Sequence, residues 1–308
     1  MLPRLELIDL DQPDLTGYRR FISCWLSTGE GPTFVVDPGP GNTAPRLIAR
    51  LAELGVHRLD WILLTHIHLD HGGAAADLLA AYPGARGVGH ESAGPHLVAP
   101  ERLWEGSRQV LGGIAERYGR PAAVPAASLA GYAELAQQGV EVIETPGHAP
   151  HHVSFRHQDT LFLGEAAGTF QPLADGRWYL RPATPPRFKL EVALRSLDRL
   201  LALDPAPARL AFAHHGLLEG RATELLRLAR RQLQQWVDVV RAARAHAPAA
   251  GFDELADGVI ARLREHDPNF GLGHLLDPDI AAREQDFTKQ TLRGMVQYVD
   301  EGAGRQAG

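Results

Sequence analysis

Three histidines and one aspartate fall within six residues in the run Thr65-His66-Ile67-His68-Leu69-Asp70-His71-Gly72-Gly73. Imidazole and carboxylate are donors that zinc, iron and manganese accept. Alternate residues of extended backbone face the same way, so His66 and His68 can hold one ion together. Asp70 and His71 follow the bend and are placed to face a second. The run comes straight after Trp61-Ile62-Leu63-Leu64, an apolar stretch that reads as a buried strand. A cluster that opens where a buried strand ends is far more specific than a polar loop that happens to hold histidine. Gly72 and Gly73 let the backbone pass close to the site and lead into a helix.

Residues able to bind metal recur at other strand ends. The strand expected at residues 140–144 runs into Thr145-Pro146-Gly147-His148. A hairpin expected from residues 153–155 and 160–163 ends in Gly164-Glu165, and the strand at 209–213 delivers His214-His215-Gly216. Asp37 closes the strand at 33–36; it is either an acceptor that orients a ligand or ordinary turn chemistry. His90 and His96 lack ligand spacing and read as surface or hydrogen-bonding histidines. His151 and His152 alternate in facing and read as structural. Residues 170–188 read as an aromatic and basic loop. In it Arg177, Trp178, Tyr179, Arg181, Arg187 and Phe188 form a candidate surface for an anionic substrate with an apolar group. The alternative is a surface loop with ordinary extended arginines.

The elements that must position these residues alternate between strand and helix in two similar halves, which implies a layered α/β fold. Leu47, Ile48, Leu51 and Leu54 repeat at helical spacing, with Pro45 in the first turn. Residues 91–135 read as a helical insertion. Helices are also expected at 190–203, 221–246, 252–264 and 280–299. The domain expectation is a catalytic unit over 1–220, with 221–308 as a helical extension packed on it, walling the site or forming a homodimer contact. The 308 residues are 44% hydrophobic and 22% charged, ordinary for a globular chain with a sizeable core. Net charge is −6 and the basic residues are dispersed, so no nucleic-acid partner is expected. Cys24 is the only cysteine, which excludes an intramolecular disulfide. Residues 1–10 lack the basic start and apolar run of a signal peptide, and no stretch approaches the ~20 apolar residues of a membrane span. The expectation is a cytoplasmic protein without a membrane partner.

In this order and spacing the motifs resemble the metallo-β-lactamase superfamily over residues 5–216. The resemblance implies an αββα four-layer sandwich with the site at one edge of its two sheets, followed here by the helical extension. It implies that His66, His68 and His148 hold one ion, and that Asp70, His71 and His215 hold a second, with His214 as the alternative to His215. Glu165 matches the bridging position, where the family usually has aspartate; the extra methylene moves the carboxylate outward by ~1.5 Å. Gly147-His148-Ala149-Pro150-His151-His152 and Thr184-Pro185-Pro186-Arg187-Phe188 look like a subgroup of predicted hydrolases. The implied cofactors are two divalent ions, zinc first, with iron or manganese as alternatives. The implied reaction is hydrolysis of an ester, thioester or lactone-type small molecule by metal-activated water, with Asp70 as ligand and proton acceptor. Two rivals share the fold: an iron oxygenase of the sulfur dioxygenase kind, and a metal-containing regulator without turnover.

Overall fold

The computed structural model describes residues 4–306. By contacts the chain divides into two compact units. One takes the chain up to Glu144, with His151–Gly164 and Arg209–Leu217; the other takes Thr145–Pro150, Glu165–Ala208 and the chain from Leu218 onward.

The first unit is built on two sheets. In the first, β1 (Arg4–Asp9), β2 (Ser23–Thr28), β3 (Phe34–Val36), β4 (Trp61–Leu63) and β5 (Arg86–Val88) lie side by side in chain order. β1, β2 and β3 pair antiparallel, and β3, β4 and β5 pair parallel. Parallel neighbours need a crossover, and helices supply it. α1 (Ala44–Glu53) joins β3 to β4; α2 (Leu69–Gly72) and α3 (Ala75–Ala81) join β4 to β5. α1 starts with Pro45 in its first turn and buries Ala44, Leu47 and Leu51, the stripe its spacing implies. α4 (Gly94–Val98), α5 (Glu101–Leu111), α6 (Gly113–Tyr118) and α7 (Tyr132–Ala136) fill the stretch that follows. In the second sheet the strands of this unit follow the order β11-β8-β7-β6, with β6 (Val140–Glu144), β7 (Val153–His157), β8 (Thr160–Gly164) and β11 (Arg209–Phe212); β12 (Leu217–Glu219) begins at the unit's last residue.

The inner faces of these sheets form one core. Trp25, Phe34, Val36, Trp61 and Leu63 of the first sheet meet Val140, Val153, Phe155, Phe162 and Ala211 of the second. Phe34 and Phe162 pack edge to face at 5.7 Å. Each such valine, leucine or phenylalanine contributes about 1.5–3 kcal/mol on burial. The indole of Trp25 also donates to the Phe212 carbonyl at 2.8 Å, a polar tie inside the apolar layer.

β6, β8 and β11 run in one direction, because β7 is antiparallel to β6 and β8 while β11 is parallel to β8. Their carboxyl ends therefore share an edge, as do those of the parallel pair β3 and β4. Ligands of α/β sheets gather at such edges because the connecting loops there are free to vary.

In the second unit, residues 170–188 are not the loop expected from composition. β9 (Thr169–Pro172) and β10 (Trp178–Arg181) pair as an antiparallel hairpin. α8 (Leu190–Leu201) packs on α9 (Ala222–His246), which in turn meets α10 (Phe252–His266) and α12 (Pro278–Gln306); α11 (Pro268–Gly271) lies on β10. Leu225, Leu226, Leu233, Trp236, Val237 and Val240 of α9 are buried. Among the described residues no helix is long and apolar enough to cross a membrane.

Candidate metal centre

Asp37 follows β3 in the left-handed region, φ 54, with its amide bonded to the Leu63 carbonyl at 2.9 Å. Aspartate tolerates that conformation better than most residues. The turn aims the carboxylate at the loop after β4. Its Oδ1 accepts from the Thr65 amide at 2.8 Å and its Oδ2 from the Thr65 hydroxyl at 2.7 Å. The single hydroxyl proton is thereby used, so the 3.1 Å contact of Thr65 Oγ1 with His66 Nδ1 has the imidazole donating. His66 is thus the Nδ1–H tautomer, with Nε2 carrying the lone pair. The same Asp37 Oδ2 lies 3.4 Å from His71 Nδ1. One buried carboxylate thus orients two rings.

Asp70, His71 and His214 come together in this unit, each offering an atom within 4.8 Å of the others. His71 Nε2 and His214 Nε2 lie 3.6 and 3.8 Å from Asp70 Oδ2. His214 stacks on Phe21 at 4.1 Å with the rings nearly parallel, which fixes its plane. The expected ligand His215 is elsewhere. It adopts φ 62, its amide donates to Ser23 Oγ at 2.9 Å, and its Nδ1 lies 2.9 Å from Asp9 Oδ1. The left-handed residue turns the chain, so that consecutive histidines face apart and the first of the pair joins the cluster. His66 and His68 stand edge to face at 4.6 Å, and His66 lies 4.2 Å from His71 by ring centroids. His152, fully buried, lies 5.3 Å from His66. Gly164 has φ 57, and a Cβ there would overlap His152 Nε2 and meet Thr65 Cβ at 2.8 Å. Only glycine lets β8 end this close to the loop.

In the second unit, His148 Nε2 and Glu165 Oε2 are 3.0 Å apart, with Glu165 buried and His148 partly so. His148 Nδ1 lies 3.1 Å from the Ala183 carbonyl, which can only accept, so Nδ1 carries the proton. Nε2 then directs a lone pair toward a carboxylate oxygen. Two acceptors that close need a proton or a metal ion between them, and ligand atoms that share one ion at bonds of ~2.0–2.2 Å lie roughly 3–3.5 Å apart. The His148–Glu165 pair meets that spacing, and the Asp70 contacts of 3.6 and 3.8 Å lie slightly beyond it. The donor set, imidazole nitrogen with carboxylate oxygen and no thiolate, suits zinc, iron or manganese.

The expected substrate surface is corrected by burial. Trp178, Tyr179, Arg181 and Phe188 are buried. Arg181 is held inside the unit by Glu284 at 2.5 Å, and Arg187 is an exposed turn residue at φ 70. Alternation along β9 and β10 would show both faces of this hairpin covered only if the C-terminal helices were already placed. Burial, then the Asp37 carboxylate, push the Cys24 thiol well above its usual range, which leaves no thiolate nucleophile here. Residues missed from sequence are Thr65, which links Asp37 to His66, Phe21 under His214, and Ala183, which acts through its carbonyl alone. A backbone oxygen has no residue-type signal at all.

The sequence model of the metallo-beta-lactamase superfamily matches residues 17–214. The metallo-beta-lactamase fold-containing protein ST1585 of Sulfurisphaera tokodaii is 31% identical over 209 residues, 65% of this chain and 75% of that protein. Its crystal structure superposes with a TM-score of 0.60 at 25% identity, covering 76% of this chain and 86% of that one. The metallo-beta-lactamase family protein TTHA1429 of Thermus thermophilus superposes at 0.58 with 23% identity, over 94% and 93% of the two chains, a likeness of fold. A hydroxyacylglutathione hydrolase of Acidiphilium cryptum is 31% identical over 202 residues, 64% of this chain and 66% of that enzyme. A second such hydrolase, of Stenotrophomonas maltophilia, is matched over 44% of its length, so the chain spans two thirds or less of these two relatives.

Proposed function

The chain belongs to the metallo-beta-lactamase superfamily, and from that premise we propose that it is a metal-dependent hydrolase of small esters and thioesters. The observation that carries the reading is the Asp70–His71–His214 cluster, three donors converging from two strand ends. By the superfamily's ligand order, His66, His68 and His148 would hold one ion and Asp70, His71 and His214 a second, with Glu165 as a further carboxylate ligand. Zinc is the ion assigned here, with iron and manganese compatible with the same donors. Bound divalent ions would supply a water acidic enough to ionise near neutral pH and would polarise the substrate carbonyl.

The chain's own residues do the rest. Asp70 orients the attacking water and accepts its proton. Asp37, through Thr65, keeps His66 Nε2 aimed inward. Thioesters are favoured because relatives named as hydroxyacylglutathione hydrolases are about 31% identical, and an acyl group carried on a thiol is a thioester. The net charge of −6 favours a small-molecule substrate over a nucleic acid. The test is elemental analysis of the purified protein, followed by a panel of thioesters assayed anaerobically for thiol release. Two zinc ions per chain with turnover support the reading. A single iron with oxygen uptake would replace it with the oxygenase reading, and no metal after reconstitution would end it.

A further inference from the structure

Residues 181–185 form a strap in the second unit between the His148 loop and α12. The strap holds Pro182 and Pro185, which lack an N–H and cannot join a strand ladder. Its backbone is instead pinned by the C-terminal helix. Arg181 Nε donates to Glu284 Oε2 at 2.5 Å. The Thr291 hydroxyl donates to the Pro182 carbonyl at 3.2 Å, and the Thr184 hydroxyl donates to the Thr291 carbonyl at 2.9 Å. At Gly294 the helix backbone meets the strap directly: a Cβ there would overlap the Thr184 oxygen and lie 2.6 Å from the Pro185 oxygen. Between these fixed points sits Ala183, whose carbonyl receives the His148 Nδ1–H. The turn that carries Glu165 leans on the same strap, since a Cβ on Gly168 would overlap the Arg181 oxygen.

We propose that α12 is a positioning element for the metal centre. Through the strap it fixes the Ala183 carbonyl, and that carbonyl sets both the tautomer and the rotation of His148. The helical extension thus governs metal affinity without offering a ligand. Partners behind a ligating histidine typically change metal affinity 10–100-fold, because they fix which nitrogen is presented and where. The inference rests on the reading of His148 as a metal ligand.

The test is zinc affinity of the full chain, measured by chelator competition, with unfolding midpoints recorded in parallel. Thr184→Val removes one donor at nearly constant shape, and Thr184→Ser restores it. Gly294→Ala should favour the helix yet must displace the strap. Gly258→Ala in α10 is the control, because a Cβ there meets no atom within 4 Å. The expected result is zinc binding weakened roughly 10–100-fold in Thr184→Val and Gly294→Ala. Thr184→Ser and Gly258→Ala should match wild type. If Gly294→Ala does not fold, the valine and serine pair at Thr184 decides. Folded Thr184→Val with wild-type affinity overturns the proposal, as does failure of serine to restore affinity. His148→Ala tests the underlying assignment separately: unchanged zinc affinity there would remove His148 from the ligand set whatever the helix does.

Discussion

Asp37 accepts both groups of Thr65, and Thr65 in turn accepts from His66, so a carboxylate one residue removed from a ligand decides which nitrogen that ligand presents. Asp37→Asn brings N–H donors to a position where only acceptors fit, and it weakens the hold on His66 and His71 together. Zinc affinity should fall roughly 10–100-fold with little change in far-ultraviolet circular dichroism. The consecutive histidines at the end of β11 give a sharper contrast. His214 faces Asp70 at 3.8 Å, whereas His215 faces Asp9 at 2.9 Å. His214→Ala should lower zinc affinity by more than the ~10–100-fold typical of a residue behind a ligand. His215→Ala should leave both affinity and ion count at the wild-type level. The reverse result in the same chelator competition would restore His215 as the ligand. Residue type marked both positions, but the left-handed turn that separates them did not show in the sequence.

The hairpin of β9 and β10 shows what changes at the scale of an element. Its arginines and aromatics look like a recognition loop in isolation, yet Arg181, Trp178 and Tyr179 are buried in the helical unit. Arg181 and Arg283 converge on Glu284 at 2.5 and 2.9 Å in a buried network. Burial raises the Glu284 carboxyl, but Arg181 and then Arg283 outweigh it and hold it below the ordinary glutamate value. A depressed folded value means the stabilisation is complete above the ordinary value and fades as pH falls through the folded one. Glu284→Gln removes the carboxylate that both buried guanidiniums share and should cost about 3–5 kcal/mol in urea unfolding at pH 7. The gap between wild type and variant should then narrow below pH ~4.3, where unfolded glutamate takes up its proton. A constant gap across that range would show that the network is not ionised as described.

At the scale of the molecule, ions bound only by the folded chain stabilise it in proportion to their occupancy. Zinc at a hundredfold excess over its dissociation constant adds about 2.7 kcal/mol. Removal by chelator should lower the thermal midpoint by roughly 4 °C for each ion so bound, and added zinc should restore it. An unchanged midpoint would contradict a metal held by the native fold. The local part of this protein was legible from sequence: the strand before His66, the helix from Ala44, the cluster at 66–71, and the histidine and carboxylate at 148 and 165. Hydrophobic period and turn chemistry act over a few residues, so such features are written where they occur. Tertiary structure alone decided which of His214 and His215 joins Asp70, that Arg181 lies inside, and that Ala183 orients His148. Those outcomes depend on chain segments separated by 35 to 144 residues, and a spacing rule that reads neighbours carries no information about which distant backbone atom will arrive beside them.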